Sequence, residues 1–364
     1  MKHNNSFVRL FGILFLLSIV YSGSTQADVD NLFANLDTIQ NDSAKLSYLN
    51  SMAFDNSKKD FQAARLLADS AIKLSKMMKN QSGLSMAYLN KGTSYHYMSE
   101  FSEALLYFDS AKMIAELQND SVMLARAYNN IGLTHRFIGD MDIALINFFQ
   151  SIKFLKSDTN RIASRLGNIA TIYFMQDKYE KAIEVFKEIE IIFKKQGKTR
   201  YLISTYNNLS MCYMELDEFS KAKEYSLNAL QASIASENIR GQGIAYYSLG
   251  RLSNQMKLYS ESINYLRKSL EIAKGLNDND IVMNSNHELG VAYKYLGDFS
   301  NAEFYLLESV RFAEKLNAKI QLEGFYNEMS NFYYDARIFE KSYDFLKLKI
   351  AITDSLMNEK SKNK

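Results

Sequence analysis

The 364-residue chain carries 43 Lys and Arg against 41 Asp and Glu, a formal charge of +2, and 47% of its residues are hydrophobic. That balance excludes the basic field on which nucleic-acid binding depends. With no proline and a single cysteine, Cys212, the chain can close no internal disulfide, and nothing in it locks φ or removes a backbone N–H.

The first element is a leader. Residues 1–9, MKHNNSFVR, are positively charged, LFGILFLLSIV is an apolar run of 11, and YSGSTQA is small and polar. This is the pattern of a secretory signal peptide over 1–27, with cleavage after Ala27 and a periplasmic or secreted product. The run is too short for a stable membrane span, and no cysteine follows it for lipid attachment. An uncleaved anchor is the alternative. Loss of residues 1–27 removes Lys2 and Arg9 and no acid, which leaves 41 charges of each sign.

From there on the chain repeats itself. Small or medium residues stand at Met52, Gly92, Gly132, Ala170, Ser210, Gly250, Gly290 and Ser330, spaced by 40 residues except for one interval of 38. Taking these as position 0, an aromatic usually stands at −4 (Tyr48, Tyr88, Tyr128, Tyr206, Tyr246, Tyr326) and another at +3 (Tyr95, Tyr173, Tyr213, Tyr293, Tyr333). At +12 comes Ala64, Ala104, Ala144, Ala182, Ala222, Ser262, Ala302 or Ser342, and at +16 most units place Phe or Leu. At about 100° per residue, positions −4, −1, 0 and +3 share one helical arc, the packing face of a first helix. The small residue at its centre admits a second helix, whose own close-contact point is the +12 residue. Each pair leaves an apolar face it cannot cover alone, so pairs must stack.

This pattern of small residue, tyrosine, alanine and Phe/Leu resembles the tetratricopeptide (TPR) repeat over residues 45–350. The resemblance implies an all-α, right-handed superhelical solenoid of eight helix-turn-helix repeats. Residues 28–44 then form an N-terminal capping segment and 351–364 a polar C-terminal tail. Two features depart from the family. No proline closes a repeat, its place being taken by stretches such as LQND and GLNDND. The period of 40 exceeds the usual ~34, which implies longer helices or wider loops. The ending LKLKIAITDSLMNEKSK resembles the segment that leads to a membrane helix and output module in exported TPR sensors of Bacteroidetes-type regulators. Here neither follows before Lys364, so a free-standing relative and a truncated regulator both remain open.

In this family the first helices line the concave surface, which makes positions −6, −2, +1 and +5 groove candidates. Position −2 holds Asn50, Asn90, Asn130, Asn168 and Asn208, a ladder of amides that both donate and accept, as the backbone of an extended peptide requires. Arg126 and Arg251 add cations able to hold a carboxylate. Tyr97, Phe137 and Tyr295 add aromatic surface suited to an adaptable partner. The competing account is that the amides order the stack and the apolar groove residues pack between repeats.

Nothing points to catalysis. His135 takes the place of a packing tyrosine, His96 and His287 are far apart, and no zinc spacing occurs. QGKTR at 196–200 lacks the first glycine of a phosphate loop. Cys212 falls within a helix as a small buried hydrophobe. The expectation is a non-enzymatic, cofactor-free and metal-free protein that binds a peptide or protein segment as a periplasmic adaptor or sensor. The alternative is an envelope scaffold or self-associating protein with no groove ligand.

Overall fold

The computed structural model describes residues 35–36 and 38–362. The leader, its cleavage point and most of the expected capping segment lie outside them. Among the described residues sixteen long helices follow one another without a strand. They are α1 (Asp42–Asn56), α2 (Phe61–Met77), α3 (Gln81–Tyr97), α4 (Phe101–Leu117), α5 (Ser121–Ile138), α6 (Met141–Phe154), α7 (Thr159–Met175) and α8 (Tyr179–Lys195). Then come α9 (Thr199–Glu215), α10 (Phe219–Ala235), α11 (Ile239–Gln255), α12 (Tyr259–Gly275), α13 (Asn279–Tyr295), α14 (Phe299–Lys315), α15 (Lys319–Asp335) and α16 (Phe339–Lys362). In chain order these are eight helix-turn-helix pairs. The segment 351–362, expected as a polar tail, continues α16, where Thr353 Oγ1 donates to Glu323 Oε1 at 2.7 Å.

The period of 40 comes from the length of the helices, since the turns are short. Most helices are 17 residues long, and the turn after them is three residues, the middle one in the left-handed region. After α2 these are Met78, Lys79 with φ 53° and Asn80. Asn80 N donates to Ser75 O at 2.9 Å and Lys79 N to Lys76 O at 3.2 Å, the paired bonds of a Schellman turn. Asn80 Oδ1 then accepts from Gly83 N at 2.9 Å and starts α3. In LQND, Asn119 is the left-handed residue with φ 52° and Asp120 caps Met123 N at 3.0 Å. The helices are therefore longer than the family norm and the loops are not wider. The single interval of 38 falls where α6 has only 14 residues.

Within each pair the helices meet at the small residues. A Cβ built on Gly92 would stand 2.7 Å from the Phe108 ring and 3.0 Å from Ala104 O, and Gly132 faces Phe148 and Ala144 in the same way. Phe108 and Phe148 are fully buried, each worth about 1.5–3 kcal/mol. Where serine replaces a small partner it bonds across the seam. Ser210 Oγ donates to Ala222 O at 2.9 Å and Ser262 Oγ to Gly250 O at 2.8 Å.

The described residues form two compact units, one extending to Ile172 and one running from Tyr173 to Lys362. In the first, each helix from α1 to α6 packs on the next, and α3 also touches α1 and α5. In the second the same holds from α8 to α16, and α11 touches α9 and α13. The first helices α1, α3 and α5 of one unit, and α9, α11 and α13 of the other, thus each form a continuous inner layer. No helix among the described residues is long and apolar enough to cross a membrane.

Replacing Gly92 by Ala is expected to destabilise the protein by about 1–3 kcal/mol through overpacking. Lys257, with φ 61°, should respond the other way. Lys257→Gly removes ~1–2 kcal/mol of left-handed strain and adds back ~0.5–1 of backbone entropy, a net gain of about 0.5 kcal/mol. Urea midpoints of the two variants measure both effects.

Candidate functional site

The −2 row lies on the inner layer, and most of it joins one first helix to the next. Asn90 Nδ2 donates to Asn50 O at 2.9 Å, linking α3 to α1, and Asn50 Nδ2 reaches Gly83 O at 3.4 Å. Asn130 Nδ2 donates to Thr93 Oγ1 at 3.3 Å, linking α5 to α3. The pattern continues in the second unit, where Asn254 Nδ2 donates to Glu288 Oε2 at 2.8 Å and Lys294 Nζ to Glu328 Oε1 at 3.2 Å. Asn90 is 1% exposed, so it presents no free amide to a ligand. Asn168 on α7 and Asn208 on α9 are half-buried, with no side-chain hydrogen bond among the described residues.

The two arginines differ. Arg251 is 5% exposed and its Nη2 stands 3.3 Å from Glu215 Oε1. It is a closed internal ion pair and not an open ligand for a carboxylate. Arg126 is half-buried and forms no ion pair among the described residues; its Nη1 donates to Met86 Sδ at 3.0 Å, a weak acceptor. Burial, followed by the nearby Arg161, lowers its pKa, with Asp120 opposing. Arg165 is in a similar position. Burial and Arg161 pull it down to about 10, and its Nε donates to Ser151 Oγ at 3.2 Å.

Asn50 and Arg126 are brought together. They line one cleft of about 510 Å³ on the inner face of the first unit, with Ser47, Ser51 and Phe54 of α1 and Met86 of α3. The other ladder residues and Arg251 are not part of it.

The +5 aromatics lie elsewhere. Tyr97 stacks on Phe61 at 6.2 Å, Phe137 on Phe101 at 6.3 Å and Tyr295 on Tyr259 at 5.0 Å. Each pairs with the +9 aromatic of the preceding repeat, so these rings fasten neighbouring pairs together at the turn edge. Phe137 and Tyr295 keep an exposed side; Tyr97 is half-buried. Among them sits His96, with ring centroids 5.4 Å from Tyr97 and 5.0 Å from Phe137, and Nδ1 3.0 Å from Thr134 Oγ1. Its pKa falls to about 4 because of burial, followed by Arg136. His135 is half-buried, and its Nδ1 stands 3.2 Å from Asp140 Oδ2 just past the end of α5. Cys212 is fully buried, and burial pushes its thiol up.

Residues 158–235 and 241–315 match the tetratricopeptide-repeat family. Those residues are TPR repeats, and the helix pairs on either side share the TPR fold. Over 115 residues it is 30% identical to Outer dynein arm-docking complex subunit 4 of Xenopus laevis, covering 32% of this chain and 21% of that one. Over 159 residues it is 26% identical to Response regulator aspartate phosphatase I of Bacillus subtilis (strain 168), covering 42% and 40%. The matches thus span about a fifth and two-fifths of these relatives' lengths. The solved Rap conjugation gene regulator of plasmid pLS20, in complex with the Phr* peptide, shares the fold at a TM-score of 0.58 and 12% identity, over 91% of this chain and 95% of that one.

A further position of the repeat is aromatic in most of the later units. Position +15 holds Tyr107, Tyr225, Tyr265, Tyr305 and Phe345. In the structure this ring packs against the −4 or +3 tyrosines, as where Tyr107 lies 6.0 Å from Tyr88 and 5.5 Å from Tyr95. Arg161 and Arg165 occupy no groove position of the repeat register, so their spacing alone does not mark them.

His96 makes stability pH-dependent. Its protonation is disfavoured in the folded state, so its contribution is complete above about pH 6.5 and is lost as pH falls towards 4. Between pH 7 and 4.5 the wild type should lose about 2–3 kcal/mol more than His96→Phe. Urea unfolding of both proteins at the two pH values checks this.

Proposed function

We propose that this TPR protein is a binding protein and not an enzyme, and that it takes an extended peptide or protein segment on the inner face of α1, α3 and α5. The observation that carries this reading is the open cleft there. Its volume of about 510 Å³ lies within the ~300–1,000 Å³ common for ligand sites, and hydroxyl, amide and guanidinium groups line it beside the apolar Phe54 and Met86. Such a wall offers donors and acceptors to a backbone and soft surface to side chains. The pLS20 regulator, a protein of the same fold, is complexed with a peptide.

Ser47 is exposed in the cleft, so Ser47→Trp fills it without touching the core. Panning a random dodecapeptide library on the purified protein should enrich peptides whose affinity for Ser47→Trp falls by about tenfold or more. Peptides that bind both proteins equally would place the binding surface elsewhere.

A second reading rests on a different face. Leu66, Leu106 and Ile146 occupy the same position of α2, α4 and α6 and are 46%, 63% and 60% exposed. An apolar row of this kind suits a scaffold that docks or self-associates through its second helices. Loss of peptide binding in Leu106→Glu, with Ser47→Trp unaffected, would favour it.

The site of action we propose is outside the cytoplasm, as adaptor or sensor, on the strength of the signal-peptide pattern in residues 1–27. The N-terminal residue of the protein recovered from its own cell should be Asp28. Recovery of Met1 would overturn export by cleavage.

A further inference from the structure

We infer that the segment taken by the cleft is acidic, and that its anionic group sits on a cluster of three arginines, Arg126, Arg161 and Arg165, at the α5–α7 end. This rests on the peptide-binding reading and adds the chemistry of the ligand to it.

The cluster is built from the side chains of two first helices. Arg161 and Arg165 are one helical turn apart on α7 and so share a face. Arg165 Nε donates to Ser151 Oγ, and Ser151 Oγ donates at 2.6 Å to the carbonyl of Ala125, the residue before Arg126. That chain of bonds ties the α7 arginines to the one lining the cleft. Of the three, Arg161 alone forms an ion pair, with Asp158 at 3.2 Å; Asp120 and Asp158 act on Arg126 and Arg165, respectively, only from beyond ion-pair distance. Arg126 has a thioether and Arg165 a hydroxyl as hydrogen-bond partner, and neither forms an ion pair among the described residues. Each of the three guanidinium groups keeps donors to offer, in the planar fork that matches a carboxylate or a phosphate.

Two other cations on first helices are matched, while Arg136 of α5 forms no ion pair among the described residues and stands away from the cleft lining. Arg251 lies on Glu215, and Lys294 lies on both Glu328 and Asp335. Half-burying like charges without an acid costs stability that a closed ion pair would not. Burial, followed by repulsion from Arg161, lowers the pKa of both Arg126 and Arg165 against the opposing pull of Asp120 and Asp158. An arriving anion removes that cost, which makes the cluster selective for acidic segments over neutral or basic ones. Arg126 lines the cleft with Asn50 and Ser47 and so joins the cluster to the polar trough.

The test uses the full chain and the double variant Arg126→Gln/Arg165→Gln. With inorganic phosphate as probe, at an ionic strength matched by sodium chloride, the melting temperature of the wild type should rise and that of the variant should not. Without phosphate the variant should melt at the same temperature as the wild type or higher. A markedly lower melting temperature would assign the arginines to holding the fold and overturn the inference, as would absence of the phosphate effect in the wild type. In the dodecapeptide panning, the wild type should select peptides of net negative charge. The double variant should still select peptides, without the acidic bias. A neutral or basic pool from the wild type overturns the acidic inference and leaves the peptide reading standing. No enrichment at all, with the phosphate effect intact, overturns the peptide reading and the acidic-segment inference with it, leaving an anion site.

Discussion

The close approach of two helices at a residue with little or no side chain is the constraint on which this structure depends. At Gly92, Gly250 and Gly290 a methyl group would collide with Phe108, Leu266 and Leu306. The pair is therefore held at a separation that larger side chains would not permit. Once the two helices sit that close, the tyrosines at −4 and +3 meet the +15 ring, and the first helix is left facing its neighbour in the next pair. The −2 side chains then reach from one first helix to the next. Binding groups can appear only on what this arrangement leaves open.

Much of this was legible in the residues themselves. The roles of Gly132, Ala144 and Phe148 follow from their spacing, because 100° per residue puts them on facing arcs. The turns were not legible, since the left-handed residue is a glycine in some and Lys79, Asn119 or Lys257 in others. Only the Schellman bonds show that these unlike residues do one job. Tyr97, Phe137 and Tyr295 read as groove residues because their helical angle points away from the pair. What the angle omits is the +9 ring of the preceding repeat, 36 residues earlier, which reaches across and stacks on one side of them. Asn90 has the same lesson. A ladder in perfect register looks the same whether it faces a ligand or the next helix, and burial decides between the two.

Arg126 and Arg251 show how much the neighbours of a charge matter. Both occur on first helices, and the sequence offers no reason to separate them. Arg251 meets Glu215 and becomes internal structure. Arg126 meets Met86, retains an unbalanced charge and lines an open cleft. A half-buried cation without an acid is a cost to the free protein. It therefore points to a ligand, where a paired one points to the fold.

The central claim is that the inner face of α1, α3 and α5 receives the ligand. It is tested most directly by photo-crosslinking with benzoylphenylalanine introduced at Ser47 in one protein and at Leu106 in another, each irradiated with a dodecapeptide selected on the wild type. The account predicts a covalent adduct at position 47 and none at position 106. Crosslinking at 106 with none at 47 would contradict it and move the binding surface to the second helices.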